Sequence, residues 1–266
     1  MNSSFEPLDA ARILAELPLT AMPVSLHIAQ DTGSTQDDAL AAPVPEQGCA
    51  LFLAERESAG RGRRGREWVS PPGANIYFSL SRRFSRPLPS LAGLSLAVGV
   101  ALAEGLRSLG FGQVRLKWPN DLWIESRKLG GILVQLRPEV GGGTGAVIGV
   151  GLNVRMPDDA ASSIDQPWCD LSQFSATPVS RNTVVAAMLA SLLPALDEFD
   201  ADGLAHFLWR WQGLDALRGQ RVQVQDGERV ITGLCLGISG EGALRLECDD
   251  GSEVLVHGGE ASLRPA

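Results

Sequence analysis

The chain has 266 residues, with 23 basic against 31 acidic side chains, a net charge of −8, and 44% apolar against 20% charged residues. That is enough for one or two domains with a sizeable apolar core. The acid balance excludes a protein whose main task is holding a long nucleic acid, which needs a basic footprint.

In chain order, residues 6–17 (EPLDAARILAEL) read as a short helix with Pro7 early and Ile13, Leu14 and Leu17 on one side. A strand is expected at His27 and Ile28, followed by Ser34 or Thr35 capping a helix through Leu40, with Asp37 or Asp38 closing a capping box. Residues 49–55 and 75–81 read as buried strands flanking a Gly- and Arg-rich loop. The spacing of Leu91, Leu94, Val98, Leu102 and Leu106 predicts a helix over 90–109, with Ser90 as cap and Gly110 as stop. Short strands follow at 113–118, 121–124, 129–136 and 146–154, the last two joined as a hairpin through the Gly-rich turn 139–145. A second amphipathic helix is expected over 180–199, kinked or broken at Pro194. A third runs over 204–214, with Phe207, Leu208 and Trp211 inward. From residue 219 short strands alternate with Asp-Gly and Ser-Gly turns, the hairpin pattern, and predict a small all-β barrel of about five strands. The plan is α+β: helices over a mixed sheet in residues 1–218, then a β domain in 219–266.

The four cysteines, at 49, 169, 235 and 248, show no Cys-x-x-Cys or Cys/His metal spacing and read as free thiols. The N-terminus carries acids and lacks the basic-then-apolar pattern of a signal peptide. The longest uncharged run, 87–103, is interrupted by Pro, Gly and Ser. A soluble cytoplasmic protein is expected.

Three segments carry chemistry. Five arginines crowd into residues 56–66, and within Gly60-Arg61-Gly62-Arg63-Arg64-Gly65-Arg66-Glu67-Trp68 alternate glycines let backbone approach a ligand while arginines offer planar forks to phosphate or carboxylate. A solvated charged turn is the alternative, and no Gly-Lys-Ser/Thr follows to make a P-loop. Lys117-Trp118-Pro119-Asn120-Asp121 reads equally as a tight turn closed by Asn120 and Asp121, or as a site with Asp121 on Mg²⁺ and Asn120 on phosphate or ribose. Lys128 stands just before Gly130-Gly131, where a ligand can lie against the strand. The third, Val147-Ile148-Gly149-Val150-Gly151-Leu152-Asn153-Val154, is by itself no more than a buried strand with two glycines and an amide.

The order GRGRRGREW, KWPND, RKLGGILVQ, VIGVGLNV and GGEASLR resembles bacterial biotin–protein ligases from about Asp31 to the end of the chain. About 25 residues precede the first ligase strand, and the resemblance is to the monofunctional class without the N-terminal DNA-binding domain. It implies the catalytic fold shared by class II aminoacyl-tRNA synthetases and biotin and lipoate ligases, followed by an SH3-like barrel. It also implies an ATP-dependent ligase that activates biotin as biotinyl-5′-AMP and transfers it to a lysine of a biotin carboxyl carrier protein, as in acetyl-CoA carboxylase. ATP and biotin are then substrates, Mg²⁺ is required, nucleic acid and membrane are not partners, and monomer and homodimer are both open.

By the same resemblance Ser34, Thr35, Gln36, Glu57, Arg61, Gly62, Arg63 and Lys128 bind biotin. Arg63, Arg66, Trp68, Lys117, Asn120, Asn153 and Trp168 bind ATP or the adenylate, with Trp68 and Trp168 as flat surfaces and Asn153 on adenine. Lys128 and Arg63 are the catalytic cations, since both steps gather negative charge on phosphate oxygens. Asp121 is the metal ligand. Residues 156–178, which hold Trp168, are Pro-rich enough for a loop that closes on ligand. Glu57 departs from the family, which has glutamine there; a carboxylate accepts a ureido N–H and cannot donate. The alternatives are a lipoate or octanoate ligase of the same fold, and a biotin-sensing regulator without enzymatic activity.

Overall fold

The computed structural model describes residues 6–18, 22–139, 142–162, 164–258 and 261–265. Residues 6–9 are extended, and Asp9 caps α1 (Ala10–Glu16) by accepting from Arg12 N. The helix therefore starts later than Pro7 suggested. β1 (Val24–Thr32) leads to α2 (Thr35–Ala41), whose cap is Ser34, accepting from Gln36 N. The expected capping box does not form as read, because Asp37 turns to Arg61 at 2.7 Å and Asp38 accepts from Thr32 Oγ1 at 2.7 Å.

β2 (Cys49–Glu57) pairs parallel with β1 and antiparallel with β3 (Ile76–Phe84). α3 (Leu94–Ser108) starts at Gly93 rather than Ser90: a separate 3₁₀ turn takes Leu88–Leu91, and the chain turns at a φ of 84° that glycine adopts without strain. Gly110, at φ 97°, lies just past its end as expected. The stretch Leu88–Ser108 has the length and apolarity of a membrane span, but eleven of the fifteen residues of α3 are buried in the protein core. A Cβ on Gly105 would meet Ala187 O at 2.6 Å, so that glycine lets α3 lie close against α5 (Arg181–Asp202).

β4 (Arg115–Lys117), β5 (Asp121–Ile124), β6 (Arg127–Pro138) and β7 (Thr144–Leu152) complete a mixed seven-stranded sheet, in the order β1-β2-β3-β7-β6-β5-β4. The β6–β7 hairpin is where expected; residues 140 and 141 of its turn lie outside the described residues. Alternation on β3 separates the faces. Phe84 meets Phe199 of α5 and Arg82 pairs with Asp197, whereas Ser79 meets Thr35 and Gln36 of α2. α3 and α5 thus pack on one face, while the opposite face, under α2, stays open.

α4 (Asp158–Ala161) is a single turn. Pro194 neither breaks nor ends α5: it sits on the exposed side, where the carbonyl that loses its donor is within reach of water. α6 (Leu208–Leu214) buries Trp211, with Phe207 just before it. β8 (Arg221–Asp226), β9 (Arg229–Ile238), β10 (Leu244–Glu247), β11 (Glu253–Val256) and β12 (Ala261–Pro265) form a second, antiparallel sheet in the order β11-β10-β9-β8-β12. Of the GGEASLR segment, Gly259 and Glu260 lie outside the described residues.

Candidate active site

On the open face lies a cleft of about 1090 Å³, lined by every residue singled out above as a ligand contact. Three glycines of β6 and β7 open its floor. Gly131 pairs with Gly151, and Gly149 is two residues further along the same face of β7, about 7 Å away at normal strand rise. A Cβ on Gly151 would meet the Trp68 indole at 2.4 Å, and one on Gly149 would meet Gln36 Oε1 at 2.4 Å. These glycines let a tryptophan and an amide lie directly on the sheet, a close approach no other residue permits.

The Arg-rich loop closes on itself. Gly62 N donates to Arg66 O, Trp68 N to Gly60 O, and Arg61 bridges Glu67; Arg64 and Gly65, at φ 61° and 69°, make the tip. It is a small hairpin rather than a solvated turn. Arg63 points inward: Nη1 donates to Asn120 Oδ1 at 3.0 Å and Nη2 to Gly258 O, tying the loop to the C-terminal sheet. Desolvation, then the nearby Arg64 charge, holds its guanidinium below the usual arginine range. Arg61 is held by Asp37, and Arg64 and Arg66 remain exposed.

Lys128, at the start of β6, places Nζ 2.9 Å from Asp121 Oδ1 and 5.5 Å from the centre of the Trp68 ring. Asp121 Oδ2 faces Lys117 Nζ at 3.8 Å, and Lys117 lies over Trp123. Asp121 thus lies between two ammonium groups; among the described residues no three His, Cys, Asp or Glu side chains gather for a metal ion. Mg²⁺ usually adds phosphate oxygens to one or two carboxylates; of those that line the cleft, Asp121 is engaged by lysines and Glu57 by Thr35. Asn120 does more than close the turn after the cis Trp118–Pro119 peptide: its Nδ2 donates to Ile132 O, its carbonyl accepts from Ile132 N, and its Oδ1 meets Arg63.

Asn153, 4% exposed, donates to Cys169 O at 3.0 Å, and its Oδ1 has no partner among the described residues. An orphaned buried acceptor on a residue that lines the cleft fits an amino group of a ligand. The segment carrying Trp168 is not a free lid: Lys128 N donates to Pro167 O, Cys169 N to Lys128 O, and Leu171 N to Asn153 O. The indole is held beside Lys128 by main-chain bonds.

At the other end, Glu57 Oε1 accepts from both Thr35 N and Thr35 Oγ1 at 2.7 Å. Thr35 Oγ1 lies 3.0 Å from Ser79 Oγ, which donates to Gln36 Oε1, and Gln36 Nε2 donates to Gln135 Oε1. Ser79 and Gln135 escaped the sequence reading, as did Gln223 and Gln225 of β8, which reach the cleft from the second sheet. The usable clue was a polar residue between two apolar neighbours within a strand, as in Phe78-Ser79-Leu80 and Val134-Gln135-Leu136.

Residues 36–153 match the biotin/lipoate A/B protein ligase family, and residues 218–264 match the biotin protein ligase C-terminal domain. The bifunctional ligase/repressor BirA of Escherichia coli (strain K12) is 44% identical over 214 residues, which covers 80% of this chain and 66% of that protein. The biotin–[acetyl-CoA-carboxylase] ligase of Mycobacterium tuberculosis is 30% identical over 88% of this chain and 87% of its own. The structure of the Aquifex aeolicus biotin protein ligase in complex with biotin and ATP superposes with a TM-score of 0.77 at 26% identity, covering 91% of this chain and 99% of that one. On these matches over both sheets, the chain belongs to the biotin protein ligase family.

Proposed function

We propose that this chain is an ATP-dependent ligase that activates biotin as biotinyl-5′-AMP and joins it to a lysine of a biotin carboxyl carrier protein, with residues 1–218 as catalytic domain and 219–266 as a closing barrel. The observation that carries the reading is one cleft with two unlike ends on a glycine floor: cations gathered around Lys128 and Arg63, and a hydrogen-bonding end around Thr35 and Glu57. An acid with a polar head group and a carboxylate tail fits with its tail among the cations.

In the first step a carboxylate oxygen of biotin attacks the α-phosphorus of ATP, the α–β bridging bond breaks, and pyrophosphate leaves. Lys128 neutralises charge on carboxylate and α-phosphate, and Asp121 keeps its ammonium in place. Arg63 and Arg66 take phosphate oxygens; fixed cations of this kind are worth most where water is excluded. Trp68 and Trp168 flank the adenylate, and Asn153 Oδ1 accepts from the adenine amino group. In the second step the carrier lysine's neutral amine attacks the acyl carbon, AMP leaves, and the amine proton passes to solvent or to the leaving phosphate. Mg²⁺ arriving with ATP supplies charge neutralisation, and no step here depends on a resident metal site.

The test is transfer of labelled biotin to a purified carrier domain with Mg-ATP. Incorporation that free biotin competes away, and octanoate or lipoate does not, is expected. No transfer by folded protein would overturn the reading, and competition by lipoate would move it to the lipoate ligases.

A further inference from the structure

The end of the cleft distant from the lysines is built almost wholly of acceptors. Glu57 Oε1 is filled by the two hydrogens of Thr35, while no protein donor among the described residues meets Oε2. Because Thr35 gives its hydroxyl hydrogen to Glu57, its oxygen can only accept from another group. Among the described residues no cation pairs with this carboxylate: on the elements around it Arg61 is taken by Asp37 at 2.7 Å, Arg56 lies 3.6 Å from Asp31, and Asp38 and the Tyr77 hydroxyl engage Thr32 and Pro71. Ser34, buried at the cap of α2, keeps a rotatable hydroxyl that can donate or accept.

We propose that this end of the cleft takes a cationic cyclic guanidine head group, such as that of 2-iminobiotin, as well as a neutral urea, and that Glu57 is the residue that decides it. The inference rests on the ligase reading above and goes beyond it in substrate class. A urea offers two N–H donors and one acceptor. The guanidinium replaces that acceptor with a further donor, which Ser34 meets by turning its hydroxyl, and its charge converts the contact with Glu57 into a charge-assisted bond. A glutamine at position 57 would present a donor as well as an acceptor and no charge. The chemistry at the far end is unchanged: the tail carboxylate forms the new O–P bond as the α–β bridge breaks and pyrophosphate leaves, and the head group keeps its atoms and its charge.

The test is calorimetric binding of biotin and 2-iminobiotin to wild type and Glu57→Gln, with the analogue's dissociation constant divided by that of biotin at each pH. In wild type this ratio is expected to stay within about threefold from about pH 7 to about pH 9, because the abundant guanidinium form is the one bound; a pocket that selects the scarce neutral form gives a ratio falling about tenfold per pH unit. Glu57→Gln is expected to raise the ratio at least about tenfold, the loss of one charge-assisted contact. A tenfold-per-unit slope in wild type, or an unchanged ratio in the variant, overturns the proposal. The wild-type slope decides alone if the variant does not fold. Failure of wild type to bind biotin overturns the ligase reading and this inference together, whereas biotin binding with the steep slope overturns this inference only.

Discussion

Lys128 and Asp121 face each other across the β5–β6 pair, Nζ to Oδ1 at 2.9 Å, with side chains only 16% and 13% exposed. The carboxylate fixes the direction of the ammonium. Lys128→Ala is expected to slow adenylate formation by about 100-fold or more, the usual cost of removing one preorganised donor from developing charge. Biotin binding should weaken far less, since the head group is held at the other end of the cleft. Stopped-flow adenylation and direct binding measure the two separately; equal losses in both would remove Lys128 from the reacting centre.

Arg63 links the hairpin of the Arg-rich loop, the β4–β5 turn and the second sheet through Asn120 and Gly258. Its partly desolvated charge is ready for a phosphate. Arg63→Gly is expected to raise the dissociation rate of the adenylate roughly 10- to 100-fold, as loss of hydrogen bonds to a charged group implies. A chase of labelled biotinyl-5′-AMP reads this directly. An unchanged rate would leave Arg63 as a structural tie alone.

Much of this architecture was legible in local pattern. Asp-Gly and Ser-Gly turns between short alternating runs marked the second sheet, and Asp121–Ile124 falls on the expected strand because its neighbours are turn residues. What was hidden depends on partners remote in sequence. Arg63 finds Gly258 195 residues away, and Glu57 finds Thr35 22 residues away, pairings that no spacing rule encodes. That Asp121 stands between two lysines is likewise something residue type alone does not reveal. Pro194 does not break α5, since such a residue is tolerated where water can reach the freed carbonyl.

The orphaned Oδ1 of Asn153 predicts a nucleotide-specific defect. Asn153→Ala is expected to raise the KM for ATP about tenfold, the value of one hydrogen bond whose partner is left buried. The Kd for biotin should move less than about twofold, an effect below half a kcal/mol. Pyrophosphate release against ATP concentration, paired with biotin calorimetry, separates these. A biotin defect as large as the ATP defect would show that the residue shapes the whole cleft.

Burial pushes the thiols of Cys49, Cys169 and Cys235 up from 9.0 to about 11, whereas Cys248 lies half-buried in the β10–β11 turn. At about pH 8 a thiol reagent should modify Cys248 rapidly and the other three only on unfolding, because the thiolate is the reacting form. The sign for stability follows from the same shifts. The folded protein holds these protons more tightly, so their contribution is complete below 9.0 and is lost as pH rises through about 11. Denaturation midpoints should therefore fall across that window, and replacing the three cysteines by alanine should flatten the decline. Fast labelling of more than one thiol in the native protein would contradict the burial.

Arg181 and Glu55 form a buried pair at 2.7 Å, with side chains 4% and 9% exposed, where the N-terminal segment crosses the start of α5. Arg181 also donates to Glu6 O at 2.6 Å and Asn75 O at 3.2 Å, and Glu55 accepts from Leu8 N at 2.6 Å. Removing the arginine alone leaves a carboxylate buried without its counter-charge, which costs about 3–5 kcal/mol. Arg181→Ala is expected to lower stability by that amount, whereas the paired change Arg181→Met with Glu55→Gln should cost clearly less. Arg245→Ala, which breaks an ion pair of similar length on the surface at Glu253, should leave the urea midpoint where it was. Urea denaturation of the four proteins orders them, and an Arg181→Ala midpoint equal to wild type would show that the N-terminal segment is held by its apolar contacts instead.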